Sequence, residues 1–242
     1  MSRSKESSGR AGRGWWARTR DRFQRSLRAA RDRRAAAAIA WVADDSEGLR
    51  RRKYDSYEQY LALQRSKLDT LQPEWLERYD RRYHAALAER LRQSGAVVPG
   101  STALCLAARV GTEVRSFLDL GCFAVGIDLN PGPNNRYVLV GDFHEIQFPD
   151  SSADIVFTNS LDHAFDFDRL ITEILRVLRP GGRLILEVVD GEEGEGSSGM
   201  YEAAQWRRVE DLLALFTRRG LAIQSQTPFQ SPWKGVHVVL SR

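Results

Sequence analysis

Cysteine is scarce in this chain: two residues among 242, Cys105 and Cys122, each inside an expected core element. So small and scattered a set builds neither a disulfide framework nor a cysteine-based zinc site, and it fits a reducing cytoplasm. Long hydrophobic runs are absent too. The stretch "AAAAIAWVA" (35–43) is flanked by charge and falls well short of the ~20 residues needed to cross a bilayer. The N-terminus has no apolar signal core and no cleavage site, so a cytoplasmic location is expected. Metal-binding spacing is missing as well. His84 has no partner at ligand distance in sequence, and the acidic, glycine-rich stretch 190–206 lacks EF-hand spacing.

Acidic residues are few at one end of the chain. Residues 1–53 carry sixteen Lys/Arg against six Asp/Glu, a net +10; residues 54–100 carry seven of each; residues 101–242 carry thirteen against nineteen, a net −6. The overall charge of +4 is therefore a property of one arm. Three domains are expected: a basic arm over 1–53, partly disordered and partly helical; a helical lead-in over 54–100; and a main domain over 101–242. Within the arm, residues 1–14 are Ser-, Gly- and Arg-rich and read as disordered. Residues 15–43 place Trp16, Phe23 and Leu27 at roughly helical spacing among arginines. Such a helix suits an anionic membrane or nucleic acid, with a possible location at the membrane periphery.

The lead-in divides into helices over 54–71 and 72–95. The first sets Tyr57, Tyr60, Leu61, Gln64 and Leu68 on one face. The second has Pro73 near its start and Gly95 at its end. From residue 102 onward, short apolar runs alternate with helices. Strands are expected at 102–108, 123–129, 137–142, 153–160, 182–190, 222–229 and 235–241, with helices at 112–121, 166–178 and 203–219. That alternation predicts an α/β doubly wound, mostly parallel seven-stranded sheet, ending in an antiparallel hairpin.

The informative lack is of glycine in "ALCLAARVGTEV" (103–114). The turn after the first strand of a nucleotide-binding α/β domain is normally glycine-rich, because backbone must approach the ligand closely. Here Ala107 and Arg109 stand where two glycines are expected and only Gly111 remains. Alanine is tolerated there if its φ stays negative. Arginine either points outwards or offers its planar fork to a carboxylate. About twenty residues after this turn Asp128 ends the second strand, where an acid accepts from ribose hydroxyls.

These residues, with "GDFHEIQFPDSSADIVFTNS" and "LRPGGRLIL" (178–186), resemble the class I S-adenosylmethionine-dependent methyltransferases, in a methyltransferase-11-like form with a divergent glycine motif. The resemblance covers about residues 101–190, and the hairpin is consistent with it. It implies S-adenosylmethionine as cofactor, held by Ala107, Arg109, Gly111, Glu113, Asp128, Leu129, Asp142, Phe143, Asn159 and Ser160. In this reading Asp142 and Phe143 take the adenine, and Glu113 accepts from the methionine ammonium in place of the first-strand acid that Cys105 replaces. His163, with Asp162 beside it, is a candidate general base. His144 reads as a surface or pocket-wall residue. Tyr57, Tyr60, Gln64 and Lys67 could close over the pocket, and residues 190–206 could form a lid. A nicotinamide cofactor fits less well, since a pyrophosphate needs several backbone N–H groups from a glycine loop. The expected activity is methyl transfer to an O or N nucleophile of a small-molecule, glycan or lipid-linked acceptor. The alternative is a non-catalytic scaffold on the same fold, acting through its basic arm.

Overall fold

A computed structural model describes residues 8–44, 48–191 and 199–242, with side chains from residue 19 onward. The chain opens with helix α1 (Ser8–Ala38), so the expected disorder of residues 8–14 gives way to helix, while residues 1–7 lie outside the described set. The helix stops at Ala38 instead of reaching residue 43. Trp41–Ala43 forms strand β1, which pairs antiparallel with β2 (Leu49–Arg52). Trp41 and Val42 are aromatic and β-branched, residues that prefer a pleated half-buried surface to a helix end.

Helix α2 (Tyr57–Thr70) is capped by Ser56 Oγ, which accepts from Gln59 N at 3.2 Å. Helix α3 (Pro73–Ser94) starts on proline and ends at left-handed Gly95. The α/β body follows: β3 (Thr102–Leu106), α4 (Thr112–Asp119), β4 (Phe123–Asp128), β5 (Val138–Val140), β6 (Ala153–Thr158), α5 (Phe167–Val177) and β7 (Leu178–Val188). Strand β8 (Ala204–Trp206), α6 (Val209–Thr217), β9 (Ala222–Phe229) and β10 (Gly235–Ser241) complete it. The helix expected over 203–219 is therefore shorter. Its first residues form β8, which pairs with β2 to make a three-stranded sheet β1-β2-β8.

The main sheet runs β5-β4-β3-β6-β7-β10-β9. Its first five strands are parallel, and β10 is antiparallel to both β7 and β9. Alternation along β3 divides the core between its two faces. Leu104 and Leu106 pack with Leu170, Ile174 and Phe216 of α5 and α6. Ala103 and Cys105 pack with Leu87, Leu91 and Phe117 of α3 and α4. Both cysteines are buried and unbridged. Strand order reverses between β3 and β6, and open α/β sheets bind ligands in the crevice beyond the carboxyl ends at such a switch point.

The basic segment is joined to this body. Arg52 is 9% exposed and donates to the carbonyls of Ala36, Ile39, Gly199 and Glu202.

Candidate active site

The glycine-poor turn keeps a glycine-type backbone. Ala107 has φ +53° and Arg109 φ +44°, so the expectation of a negative φ at the alanine is corrected: both non-glycine residues adopt the left-handed region. That conformation costs roughly 1–2 kcal/mol per residue. It persists because the turn is tied from several sides. Ala108 N donates to Ile127 O at 3.0 Å, Gly111 N to Ala108 O at 2.6 Å, and Arg109 N to Asp128 Oδ2 at 2.8 Å. Gly111 remains because it needs both its φ of +86° and its missing side chain. A Cβ there would sit 2.7 Å from Tyr137 Cβ.

Above this turn lies a cavity of about 560 Å³, lined by Tyr60, Gln64, Lys67, Leu68, Ala107, Arg109, Asp128, Leu129, Asn130, Gly141, Phe143, Ser160 and His163. Helix α2 forms one wall through Tyr60, Gln64, Lys67 and Leu68; Tyr57, also expected to close over the pocket, and Leu61, expected on the same face, are not among the lining residues. Asn130 and Gly141 were not picked out from sequence; Asn130 directly follows the candidate Leu129, and Gly141 directly precedes the candidate Asp142.

Other expected residues are placed differently. Asp142 is not among the lining residues. Its Oδ2 accepts the Tyr57 hydroxyl, and its Oδ1 accepts His144 N at 2.9 Å and stands 3.1 Å from His144 Nδ1. Burial would raise the Asp142 pKa, but the hydrogen bonds from His144 and Tyr57 bring it below the usual carboxylate range. His144 Nε2 accepts from Phe165 N and Asp166 N at 3.1 and 3.2 Å, which puts the ring proton on Nδ1, facing Asp142. His144 is therefore a buried bracket that ties its own loop to the 165–166 loop and to Tyr57 at the start of α2.

Glu113 lies beneath the turn, buried beside Cys105. Its Oε1 accepts Asn159 Nδ2 at 3.1 Å, while its Oε2 is buried with no partner. Burial pushes the Glu113 pKa up to about 7, against the pull of Arg109 and the Asn159 hydrogen bond. An orphaned carboxylate oxygen at this depth suits a cationic group from a ligand. Asn159 also bonds the Tyr83 hydroxyl at 2.8 Å, and Ser160 Oγ donates to Asn159 Oδ1 at 3.0 Å. Behind them Glu187 is fully buried. Its carboxylate accepts from Tyr83 at 2.9 Å and from Arg90 through Nε and Nη2 at 2.5 and 2.9 Å, and stands 3.0 Å from His237 Nδ1.

A second cavity, of about 610 Å³, borders the first. Lys67, Tyr79, Arg109, Asn159, Ser160, Asp162, His163, Glu202, Trp206 and Trp233 contribute to its wall. His163 Nδ1 lies 2.9 Å from Tyr201 O and its Nε2 lies 2.6 Å from Lys67 Nζ. Burial, together with Lys67, pushes the His163 pKa down to about 3, so the ring is neutral. Asp162, His163 and Glu202 also present ligand-type atoms within 4.8 Å of one another, with Lys67 on the Nε2 side of the histidine. Residues 192–198, within the stretch expected to act as a lid, lie outside the described residues.

The strand order, the left-handed turn and the cavity at the switch point define the fold of class I S-adenosylmethionine-dependent methyltransferases. Residues 104–186 match the family model described as "Methyltransferase domain". The malonyl-[acyl-carrier protein] O-methyltransferase of Methylococcus capsulatus is 32% identical over 124 residues, covering 50% of this chain and 40% of that protein. The demethylmenaquinone methyltransferase of Corynebacterium glutamicum is 34% identical over 103 residues, covering 40% and 45%. The chain thus spans less than half the length of these curated relatives. Among solved structures, the 1,6-didemethyltoxoflavin-N1-methyltransferase of Burkholderia thailandensis, bound to 1,6-didemethyltoxoflavin and S-adenosylhomocysteine, superposes with a TM-score of 0.59 at 15% identity. That match covers 84% of this chain and 98% of the other. An S-adenosylmethionine-dependent methyltransferase of Aquifex aeolicus gives 0.55 at 15% identity, covering 71% and 98%.

Proposed function

We propose that this chain is a methyltransferase that uses S-adenosylmethionine and delivers the methyl group to an O or N nucleophile of a small-molecule or carrier-linked acceptor. The observation that carries this reading is the turn at Ala107 and Arg109. Two residues there adopt a left-handed backbone that non-glycine residues disfavour. Arg109 is held through its N–H to Asp128, the turn is further tied by Ala108 N to Ile127 O, and Ala107 and Arg109 both line the first cavity. A strained conformation maintained by its surroundings points to use.

The residues fit the cofactor's chemistry. Asp128 and Leu129 face the cavity where a ribose would lie, and Phe143 offers a flat apolar surface for a purine. Arg109, shared by both cavities, suits the amino-acid carboxylate, and Glu113, which lines neither cavity, offers a buried, unpartnered carboxylate oxygen to the ammonium. Ser160 lines both cavities and Asn159 the second, and the Ser160–Asn159–Glu113 hydrogen bonds link them to the Glu113 carboxylate, while Gly111 keeps the turn in shape. Asp142 contributes through Tyr57 and His144, fixing the loop that carries Phe143. The bound cofactor supplies an electrophilic methyl; the protein's part is to orient it and exclude water.

The second cavity is the acceptor's place in this reading, with Asp162 and His163 on its border. Helix α1 adds an attachment surface. Phe23 and Leu27, one turn apart, are 63% and 56% exposed in an arginine-rich helix, which suits an anionic bilayer at the cytoplasmic face; nucleic acid is the other candidate. No helix among the described residues is long and apolar enough to cross a membrane. Calorimetric titration with S-adenosylhomocysteine, with NAD as control, tests the core claim. Micromolar binding of the first alone, about −8 kcal/mol, supports it; binding of neither, or of NAD alone, overturns it.

A further inference from the structure

Four residues line both cavities: Lys67, Arg109, Ser160 and His163. They form the wall across which a methyl group passes if the first cavity holds donor and the second acceptor. Lys67 is the one flexible primary amine among them, and its environment is built. His163 Nδ1 faces a carbonyl, Tyr201 O, which can only accept, so Nδ1 carries the ring proton and Nε2 presents a lone pair. That lone pair is turned on Lys67 Nζ at 2.6 Å, so the lysine donates and the histidine accepts. With both ring nitrogens engaged, His163 has no free site with which to take a proton from an acceptor.

We propose that Lys67 is the general base for the acceptor bound in the second cavity, and that His163 is the residue that positions it. This rests on the methyltransferase reading. In the step, the acceptor's oxygen or nitrogen forms the new bond to the methyl carbon as the S–CH3 bond breaks. The sulfonium leaves as a neutral thioether, and the acceptor's proton passes to the neutral Lys67 amine, giving an ammonium that His163 Nε2 holds. Charge balances: one cation, the sulfonium, is exchanged for another, the ammonium.

The groups around Lys67 support the assignment. Burial and the neighbouring Arg109 bring its pKa down to about 8, while Asp162, Glu202 and Asp128 pull the other way. The Tyr201 ring centroid lies 5.8 Å from Nζ, and His163 contributes its lone pair. A base whose pKa lies near working pH is the effective one for proton transfer. A neutral amine of this strength matches acceptors of phenol-like acidity, an ionisable ring hydroxyl or ring N–H, better than it matches an aliphatic alcohol. Trp206, Trp233 and Tyr79 in the second cavity suit a planar molecule of that kind.

The chain has only four lysines, Lys5, Lys53, Lys67 and Lys234, which makes the test direct. The full chain is labelled with lysine carrying 13C at the ε position and with 15N histidine, and titrated from pH 6 to 11; Lys67→Arg assigns the lysine signal. One lysine signal should titrate near pH 8 and the others near the ordinary value of about 10.4. The His163 Nε2 resonance should move with the same midpoint as Lys67, a signature that packing alone does not produce. Saturating S-adenosylhomocysteine should shift the Lys67 signal and leave those of Lys53 and Lys234 in place. A Lys67 midpoint near 10, or a His163 Nε2 signal that ignores the Lys67 titration, overturns the proposal. Calorimetry on the same sample separates the two readings. If S-adenosylhomocysteine binds while Lys67 titrates normally, only the base assignment fails; if it does not bind, the methyltransferase reading fails.

Discussion

Asp128 Oδ2 accepts the backbone N–H of Arg109 at 2.8 Å, and its Oδ1 accepts that of Asn130 at the same distance. One carboxylate thus fastens the end of β4 to the turn after β3 while facing the first cavity. Asp128→Ala removes two hydrogen bonds to a charged acceptor, each worth ~1.5–3 kcal/mol. A fall in thermal midpoint should accompany at least a tenfold loss of S-adenosylhomocysteine affinity. Asp128→Asn, which keeps one acceptor, should fall between. An alanine variant as stable as the parent would show that the turn is held by other means.

Glycine at residue 107 should be tolerated and even favourable. Relief of left-handed strain contributes roughly 1–2 kcal/mol, offset by roughly 0.4–1 kcal/mol of added entropy in the unfolded chain. Ala107→Gly should therefore raise stability by up to about 1.5 kcal/mol in urea unfolding. A clear loss of stability would contradict the positive φ at this position.

Arg109→Gly separates backbone from side chain. Its backbone is relaxed, but the guanidinium is gone. Affinity for S-adenosylhomocysteine should drop about tenfold or more, while that for methylthioadenosine, which has no carboxylate, stays within about twofold; charge-assisted bonds of this kind are worth ~1.5–3 kcal/mol. Equal losses for both ligands would place the guanidinium elsewhere.

The burial of Glu113 makes stability pH-dependent. Burial raises its folded pKa to about 7, from an ordinary glutamate value of 4.5. Between these values the folded state binds more protons than the unfolded state, so this group's contribution to stability falls as pH rises from about 4.5 to 7, and the full penalty stands above 7. Glu113→Gln should flatten that part of the profile and raise the melting temperature at pH 8. Binding of S-adenosylhomocysteine near pH 6.5 should release protons, read by calorimetry in buffers of different ionisation enthalpy, and the variant should release fewer.

Glu187 should be intolerant of truncation. Its carboxylate is 0% exposed and collects Arg90, Tyr83 and His237. Glu187→Ala strands the Arg90 charge, whose side chain is only 12% exposed, a loss of the order of 3–5 kcal/mol for a buried pair. Chemical denaturation should show it; a change below 1 kcal/mol would mean that the cluster relaxes freely.

The main sheet was legible because its signals are local. The apolar runs at 222–229 and 235–241 form β9 and β10 as expected, and the helix read over 72–95 is α3 within a residue at each end. Strands β1 and β8 were hidden because the sheet that stabilises them joins residues more than 150 positions apart, and alanine-rich sequence before β1 reads as helix. The site divides in the same way. Asp128 is visible through its spacing from the turn. The sign of φ at Ala107 is not, since alanine by itself avoids that region and only the surrounding bonds impose it. Lys67 was expected to close over the pocket, but its pairing with His163 was not visible, because the histidine lies 96 residues away.

The anchoring of Arg52 has a mechanical consequence. Its guanidinium grips the carbonyls of Gly199 and Glu202, on either side of Tyr201, while its other nitrogen grips the end of α1. Tyr201 O in turn receives Gln64 Nε2 at 2.6 Å and faces His163 Nδ1. Tension on the first helix is thus carried through one arginine to the strap that aims the histidine. Whatever surface the helix settles on is wired by a few hydrogen bonds to the place where a proton would change hands, and tethering and turnover share one short lever.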